Sequence, residues 1–201
     1  MNAPNGIIAC FGEIVMRVSV PQGELPLQSA RFDACVGGAE ANVAVALAAL
    51  GRATSMISAV PGGPIGDGVL GELRRHGVDV APVLRPAGRM GLYYHLPGGA
   101  MRPAEVIYDR AGSAFAEAAP EDWNWDALLD GAGWLHLSGV TPALGPRSAG
   151  AALEGGARAP GAPAPPPHPR PQAAARTTCI PPHPPREREA HRPRFTRLNR
   201  L

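Results

Sequence analysis

The sequence predicts an α/β fold, an open and mostly parallel sheet with helices on both faces, and three observations lead there. Short β-branched and apolar runs alternate with segments whose apolar residues recur at helical spacing, from residue 6 to about 156. Two of the helical segments stop at a glycine, Gly51 and Gly77, where a helix ends naturally. The alternation then fails. Twelve of the last forty-five residues are proline and few are large and apolar, so 157–201 reads as a disordered Pro/Arg-rich tail behind a folded part spanning 1–156.

Taken in order, "IIACFGEIVMRVSV" reads as strand with a break at Gly12 and Glu13. "RFDACVGG" is a short extended piece ending in two glycines, and "AEANVAVALAALG" is a helix with Val43, Leu47 and Leu50 on one stripe. "TSMISAV" is a second strand, "PGGPIGDG" a turn, and "VLGELRRHG" a second helix. "GLYYHLPGGAMRPAEVIYDR" looks like a hairpin of two aromatic strands around a Pro/Gly-rich turn, with one face toward solvent or a ligand. "PEDWNWDALLDGAG" opens with acids and reads as one short helix. "WLHLSGV" is a third core strand, and "TPALGPRSAGAALEGGA" begins another helix near Pro146.

A hydrophobic fraction of 45% is ordinary for a globular chain. The formal charge of +2 hides an asymmetry. Residues 1–156 carry ten Arg against fifteen acids, about −5, whereas 157–201 carry nine Arg against Glu187 and Glu189, about +7. There is no lysine, which together with the Ala, Gly, Arg and Pro content reads as GC-rich coding bias. Cys10, Cys35 and Cys179 form no CxxC pair and no metal pattern, and they fit a reducing, cytoplasmic setting. "MNAPNGIIACFGEIVMRVSV" lacks a basic n-region and a long apolar run, so neither a signal peptide nor a membrane span is expected.

Two constellations carry chemistry. Gly37 and Gly38 lead straight into a helix with Asn42 in its first turns. Glycines permit close backbone approach, and an Asn offers both a donor and an acceptor to a hydroxyl. The same residues also suit a plain tight turn with Asn42 helping to cap the helix. Tyr93, Tyr108 and Arg110 lie on the expected hairpin, with Tyr108 and Arg110 on one face by alternation. A Tyr can pack on a sugar and an Arg can fork a carboxylate, although both are also common on exposed antiparallel sheets.

Other candidates fall away. "DGAGW" (Asp130 to Trp134) follows a helix and precedes a strand, the wrong order for an anion loop. "GGPIGDG" (Gly62 to Gly68) lacks GxGxxG spacing and a P-loop Lys. His95 and His136 have no partner at metal-ligand spacing, so both read as core or surface histidines, and no metal site is expected.

In sequence, "CVGGAEANVAVALAALG", then "GDG", then "GLYYHL…VIYDRAGSAFA", then "WLHLSGVTPAL" resemble a sugar kinase of the ribokinase (PfkB) family over roughly residues 6 to 156. Within it the resemblance is to the branch that phosphorylates 2-keto-3-deoxygluconate. It implies a ribokinase-like domain with a small β-sheet lid, formed by segments near 14–36 and 91–110, which closes on the sugar and often mediates a homodimer. It implies that Gly38 and Asn42 hold sugar hydroxyls and that Tyr93 lies over the sugar. Tyr108 and Arg110 match the pair that recognises the acid end, and bidentate Arg pairing is what separates a sugar acid from a neutral sugar. Asp109 stands where an aromatic is frequent, and alternation points it away from the sugar.

The resemblance further implies ATP and Mg2+ as cofactors of the intact enzyme and a sugar acid as its small-molecule partner. Neither a membrane nor nucleic acid is an expected partner. In this family the ATP site and a D-x-x-G-A-G-D-type motif, whose last Asp is the base, come later in the chain, and no such motif follows residue 139 here. No catalytic residue is therefore assigned, and the chain is expected to be inactive and aggregation-prone. A frameshift in a GC-rich gene accounts for the tail. The alternatives are a non-catalytic sugar-binding fragment, or a protein acting through its basic, Pro-rich tail.

Overall fold

The apolar run near the start of the chain becomes β1 (Ile7–Phe11), and the other parallel strands assemble around it. The structure, a computed structural model, describes residues 6–99 and 101–161. β1 pairs in parallel with β4 (Thr54–Ala59) on one side and with β8 (Ala132–His136) on the other. β4 also pairs with a two-residue strand, β5 (Val83–Leu84), so the sheet order is β5-β4-β1-β8. All six residues of β4 are buried, as a strand covered on both faces requires.

Period-two alternation divides the core into two layers. Cys10 and Met56 face one way, and Ala9, Phe11, Ile57 and Ala59 the other. The first face is covered by α1 (Ala39–Ala49) through Ala41 and Ala44, and by α2 (Pro64–Arg75) through Val69, Leu70 and Leu73. The second face takes the short helices α3 (Ala114–Glu117) and α4 (Trp125–Leu128) and the longer α6 (Pro146–Arg158). There Phe11 meets Phe115, Trp123 and Trp125 with ring centroids 5.5, 5.1 and 4.9 Å away. Helices on both faces of a parallel sheet are what the sequence predicts.

A second sheet, in the order β3-β2-β6-β7, stands apart from the first. It consists of β2 (Val15–Ser19), β3 (Asp33–Gly37), β6 (Gly91–Leu96) and β7 (Glu105–Asp109). The expected hairpin is β6–β7, antiparallel, with Tyr93 directly opposite Tyr108. β2 and β6 run parallel, which places Arg17 beside Tyr93.

Some boundaries differ from expectation. α2 begins at Pro64, so most of the string read as a turn is its first turn and a half. Pro is favoured at a helix start, and Gly66 is needed there because a Cβ would lie 2.0 Å from the Pro61 carbonyl oxygen. The single helix expected after Pro120 is a 3-10 turn (Pro120–Asp122) followed by α4, since burying both Trp123 and Trp125 interrupts the helix between them. α3, capped by the Ser113 side chain accepting from the Ala116 N–H at 3.1 Å, was not foreseen. The helix foreseen near Pro146 is preceded by the short α5 (Val140–Ala143), and α6 continues to Arg158, two residues past the expected end of the folded part. The tail expected to be disordered lies, from residue 162 onward, outside the described residues. Among the described residues no helix is long and apolar enough to cross a membrane.

Candidate functional site

Where β1 ends, Gly12, Glu13 and Ile14 carry the chain from the parallel sheet into the second one, and a cleft opens beside this junction. Its volume is about 340 Å3. Its floor is the start of α1, with Gly38, Ala39 and Asn42, and one rim is Val140 of α5. Its opposite wall is one face of the second sheet, from which alternation projects Val15 and Arg17 of β2, Tyr93 and His95 of β6, and Val106 and Tyr108 of β7, with Arg110 just beyond. A groove between α1 and α2 is of similar size, about 330 Å3, but it is walled largely by alanine and valine. Convergent polar side chains, not volume, single out the first cleft.

Gly38 is held by its surroundings. Its φ of 132° is rarely adopted by residues with a side chain, and a Cβ there would stand 2.6 Å from the Glu13 carbonyl oxygen. It is also the cap residue of α1, and no side chain caps that helix. Asn42 therefore does not serve as a cap; its amide lines the cleft, exposed. Gly37 lies behind the wall, where a Cβ would sit 3.5 Å from the Tyr93 hydroxyl.

The two tyrosine rings stand 5.9 Å apart at 44°, and the Arg110 guanidinium carbon lies 5.8 Å from the Tyr108 ring centre. Behind Arg110 is a buried acid. Its Nε donates to Glu13 Oε2 at 2.5 Å, while the Ser113 hydroxyl donates to Glu13 Oε1 at 2.6 Å. A second buried acid, Glu40 in the first turn of α1, accepts at one oxygen from the Ser138 N–H, the Ser138 hydroxyl and the Thr141 hydroxyl at 3.0, 2.7 and 2.8 Å. It ties the start of α1 to the loop after β8, and Gly12 makes room for it.

Of the residues singled out from sequence, Gly38, Asn42, Tyr93, Tyr108 and Arg110 line this one cleft, and Gly37 abuts it. Asp109 points away and pairs with Arg89. His95, read from sequence as a core or surface histidine, is half-buried and also forms part of the cleft wall. Its i+2 spacing from Tyr93 on a predicted strand was the available signal. Arg17 was missed because its neighbour Tyr93 is set by a parallel register across distant strands, and Glu13 because its partners lie 97 and 100 residues away. Among the described residues no group of His, Cys, Asp and Glu could hold a metal ion, and the first glycine of "DGAG", Gly131, adjoins the opposite end of β1, where its carbonyl accepts from the Ile7 N–H.

Comparison with known proteins gives a consistent picture. Residues 7–167 match the pattern of pfkB family carbohydrate kinases. The chain is 40% identical over 137 residues to a 2-dehydro-3-deoxygalactonokinase of Haloferax volcanii, covering 68% of this chain and 43% of that one. The structure is similar to that of 2-dehydro-3-deoxygluconokinase from Thermotoga maritima, with a TM-score of 0.72 and 41% identity over 75% of this chain and 46% of that one. A sugar kinase of Pyrococcus horikoshii, solved in complex with ATP, matches with a TM-score of 0.65 and 26% identity, covering 74% and 48%. The chain thus spans less than half the length of each of these relatives.

Proposed function

The chain belongs to the pfkB family of carbohydrate kinases, and from that premise we propose that its cleft is the acceptor site for a sugar acid of the 2-keto-3-deoxygluconate type. In this reading Gly38 and Asn42 meet the sugar hydroxyls, Tyr93 packs over the carbon chain, and Tyr108 with Arg110 receives the carboxylate. The observation that carries it is Arg110. Glu13 takes its Nε, and neither Nη group has a hydrogen-bond partner among the described residues, at the edge of a cleft walled by two tyrosines. A planar fork of donors suits a carboxylate and offers nothing comparable to a neutral carbonyl.

The intact enzyme would use ATP and Mg2+ to phosphorylate a hydroxyl of that acid in the cytoplasm, and its small sheet would act as a lid and a dimer contact. Phosphoryl transfer relies on positioning and charge stabilisation, with a base near the attacking hydroxyl. The last aspartate in the 201-residue sequence is Asp130, which precedes β8. Gly38, Asn42, Tyr93, Tyr108 and Arg110 bind and orient an acceptor, and none of them suits the role of that base or of a nucleotide cradle. We propose that this chain holds the acceptor and does not transfer phosphate to it, and that its tail arises from a frameshift.

Calorimetric titration tests the reading. The chain should bind 2-keto-3-deoxygluconate more tightly than its neutral amide, and Arg110→Ala should lose at least about tenfold in affinity for the acid while leaving the amide unaffected. Equal affinity of the wild-type chain for acid and amide would remove Arg110 from recognition. Addition of ATP should release no ADP. Resequencing from the codon for Thr141 should reveal, in another frame, a glycine-rich motif ending in Asp.

A further inference from the structure

We infer that Glu13 is the positioning residue of the acid-recognition site: it fixes Arg110 from behind, so that only the outer edge of the guanidinium is left for a ligand. The inference rests on the proposed reading of the cleft. A guanidinium offers a bidentate edge through Nε and another through its two Nη groups. Glu13 takes Nε, so a carboxylate in the cleft would meet the Nη edge, and the arginine loses its freedom to swing aside.

The surroundings of Glu13 are built to hold it. Its side chain is 1% exposed and that of Arg110 is 16% exposed. Glu13 sits where β1 crosses to β2, and the other crossings between the two sheets converge on it. At the end of β3, Gly38 lies against its carbonyl oxygen. At the start of β6, a Cβ on Gly91 would come within 2.2 Å of its Oε1. After β7, Arg110 and Ser113 both donate to its carboxylate, and Ser113 caps α3 with the same oxygen. A change in the angle between the sheets would therefore disturb Arg110 through Glu13.

Stability alone is a poor account of this arrangement. The cost of desolvating both charges often cancels the attraction in a buried pair, and apolar residues of similar volume frequently serve as well or better. What the pair provides here is orientation, which is what recognition of a planar carboxylate requires.

The test is the ratio of affinities for 2-keto-3-deoxygluconate and its neutral amide, measured on the full chain. Glu13→Gln conserves shape and removes the charge; it should reduce the ratio about tenfold by weakening the acid alone. On an Arg110→Ala background the same change should have no further effect on the ratio, since Glu13 acts through Arg110. Ser113→Ala keeps both charges and frees one carboxylate oxygen, and it should reduce the ratio by about threefold, serving as the decisive variant if Glu13→Gln does not fold. An unchanged ratio in the variants that fold, or an equal loss for acid and amide, overturns the inference while leaving the acceptor site intact. If the wild-type chain itself shows no preference for the acid, the reading of the cleft fails first and the inference falls with it.

Discussion

Cys10 and Cys35 show how far one residue type can be separated by its surroundings. Cys35 is exposed on β3, whereas Cys10 is fully buried in β1. Burial, with the Glu40 carboxylate adding to it, pushes the Cys10 thiol up to about 12 from an ordinary value of 9.0. Cys10 is thus a neutral core thiol at physiological pH, and alkylation followed by peptide mapping should label Cys35 while sparing Cys10 until the chain unfolds. The linkage has a definite sign. The folded state keeps a proton that the unfolded chain releases, so this contribution is complete below pH 9.0 and is lost as pH rises toward about 12. Urea midpoints should fall between pH 8 and pH 10.5 in the wild type, and fall less in Cys10→Ala. Equal slopes would show that Cys10 does not contribute.

Among elements, the second face of the parallel sheet is covered by α6 together with a few large rings carried in and beside two short helices. α3 and α4 have four residues each, too short to persist alone, and their positions are set by burying Phe115 and Trp125 against Phe11. Phe11→Ala should cost about 3–5 kcal/mol in denaturant unfolding, because its cavity borders three other aromatic side chains. Gly155 shows the opposite limit. It brings α6 onto Trp125, and a Cβ there would stand 2.5 Å from the indole ring. Gly155→Ala should therefore destabilise by about 1–3 kcal/mol despite the higher helix propensity of alanine, and a stabilised variant would mean that α6 does not pack so closely.

For the molecule as a whole, the telling feature is β8. Among the described residues it pairs with β1 alone, and Trp134 on it is 56% exposed next to an apolar groove lined by Val43, Leu47 and Leu135. Parallel strands are normally covered, and an uncovered edge carrying a large aromatic invites association. The isolated chain should scatter light increasingly with concentration, and Trp134→Glu should reduce this at equal concentration. Association unaffected by that substitution would place the contact elsewhere, with attraction between the net acidic residues 1–156 and the net basic residues 157–201 the next cause to test through salt dependence.

Local periodicity made much of this protein legible in its sequence. Alternation and helical spacing are properties of neighbouring residues, so the placement of β1, β4, β8, α1 and the β6–β7 hairpin could be read directly, as could the outward turn of Asp109. Tyr93, Tyr108 and Arg110 were found for the same reason, since one hairpin brings them together. Glycine-rich strings misled: "GGPIGDG" resembles a turn, yet from Pro64 onward it is α2, and of its glycines Gly66 lets that helix lie against the Pro61 carbonyl. Arg17 and Glu13 were beyond local reasoning altogether. Which strands become neighbours, and in what register, is decided by how two layers of core can be buried at once. Only that packing places Arg17 beside Tyr93 and closes the loop of 97 residues between Glu13 and Arg110.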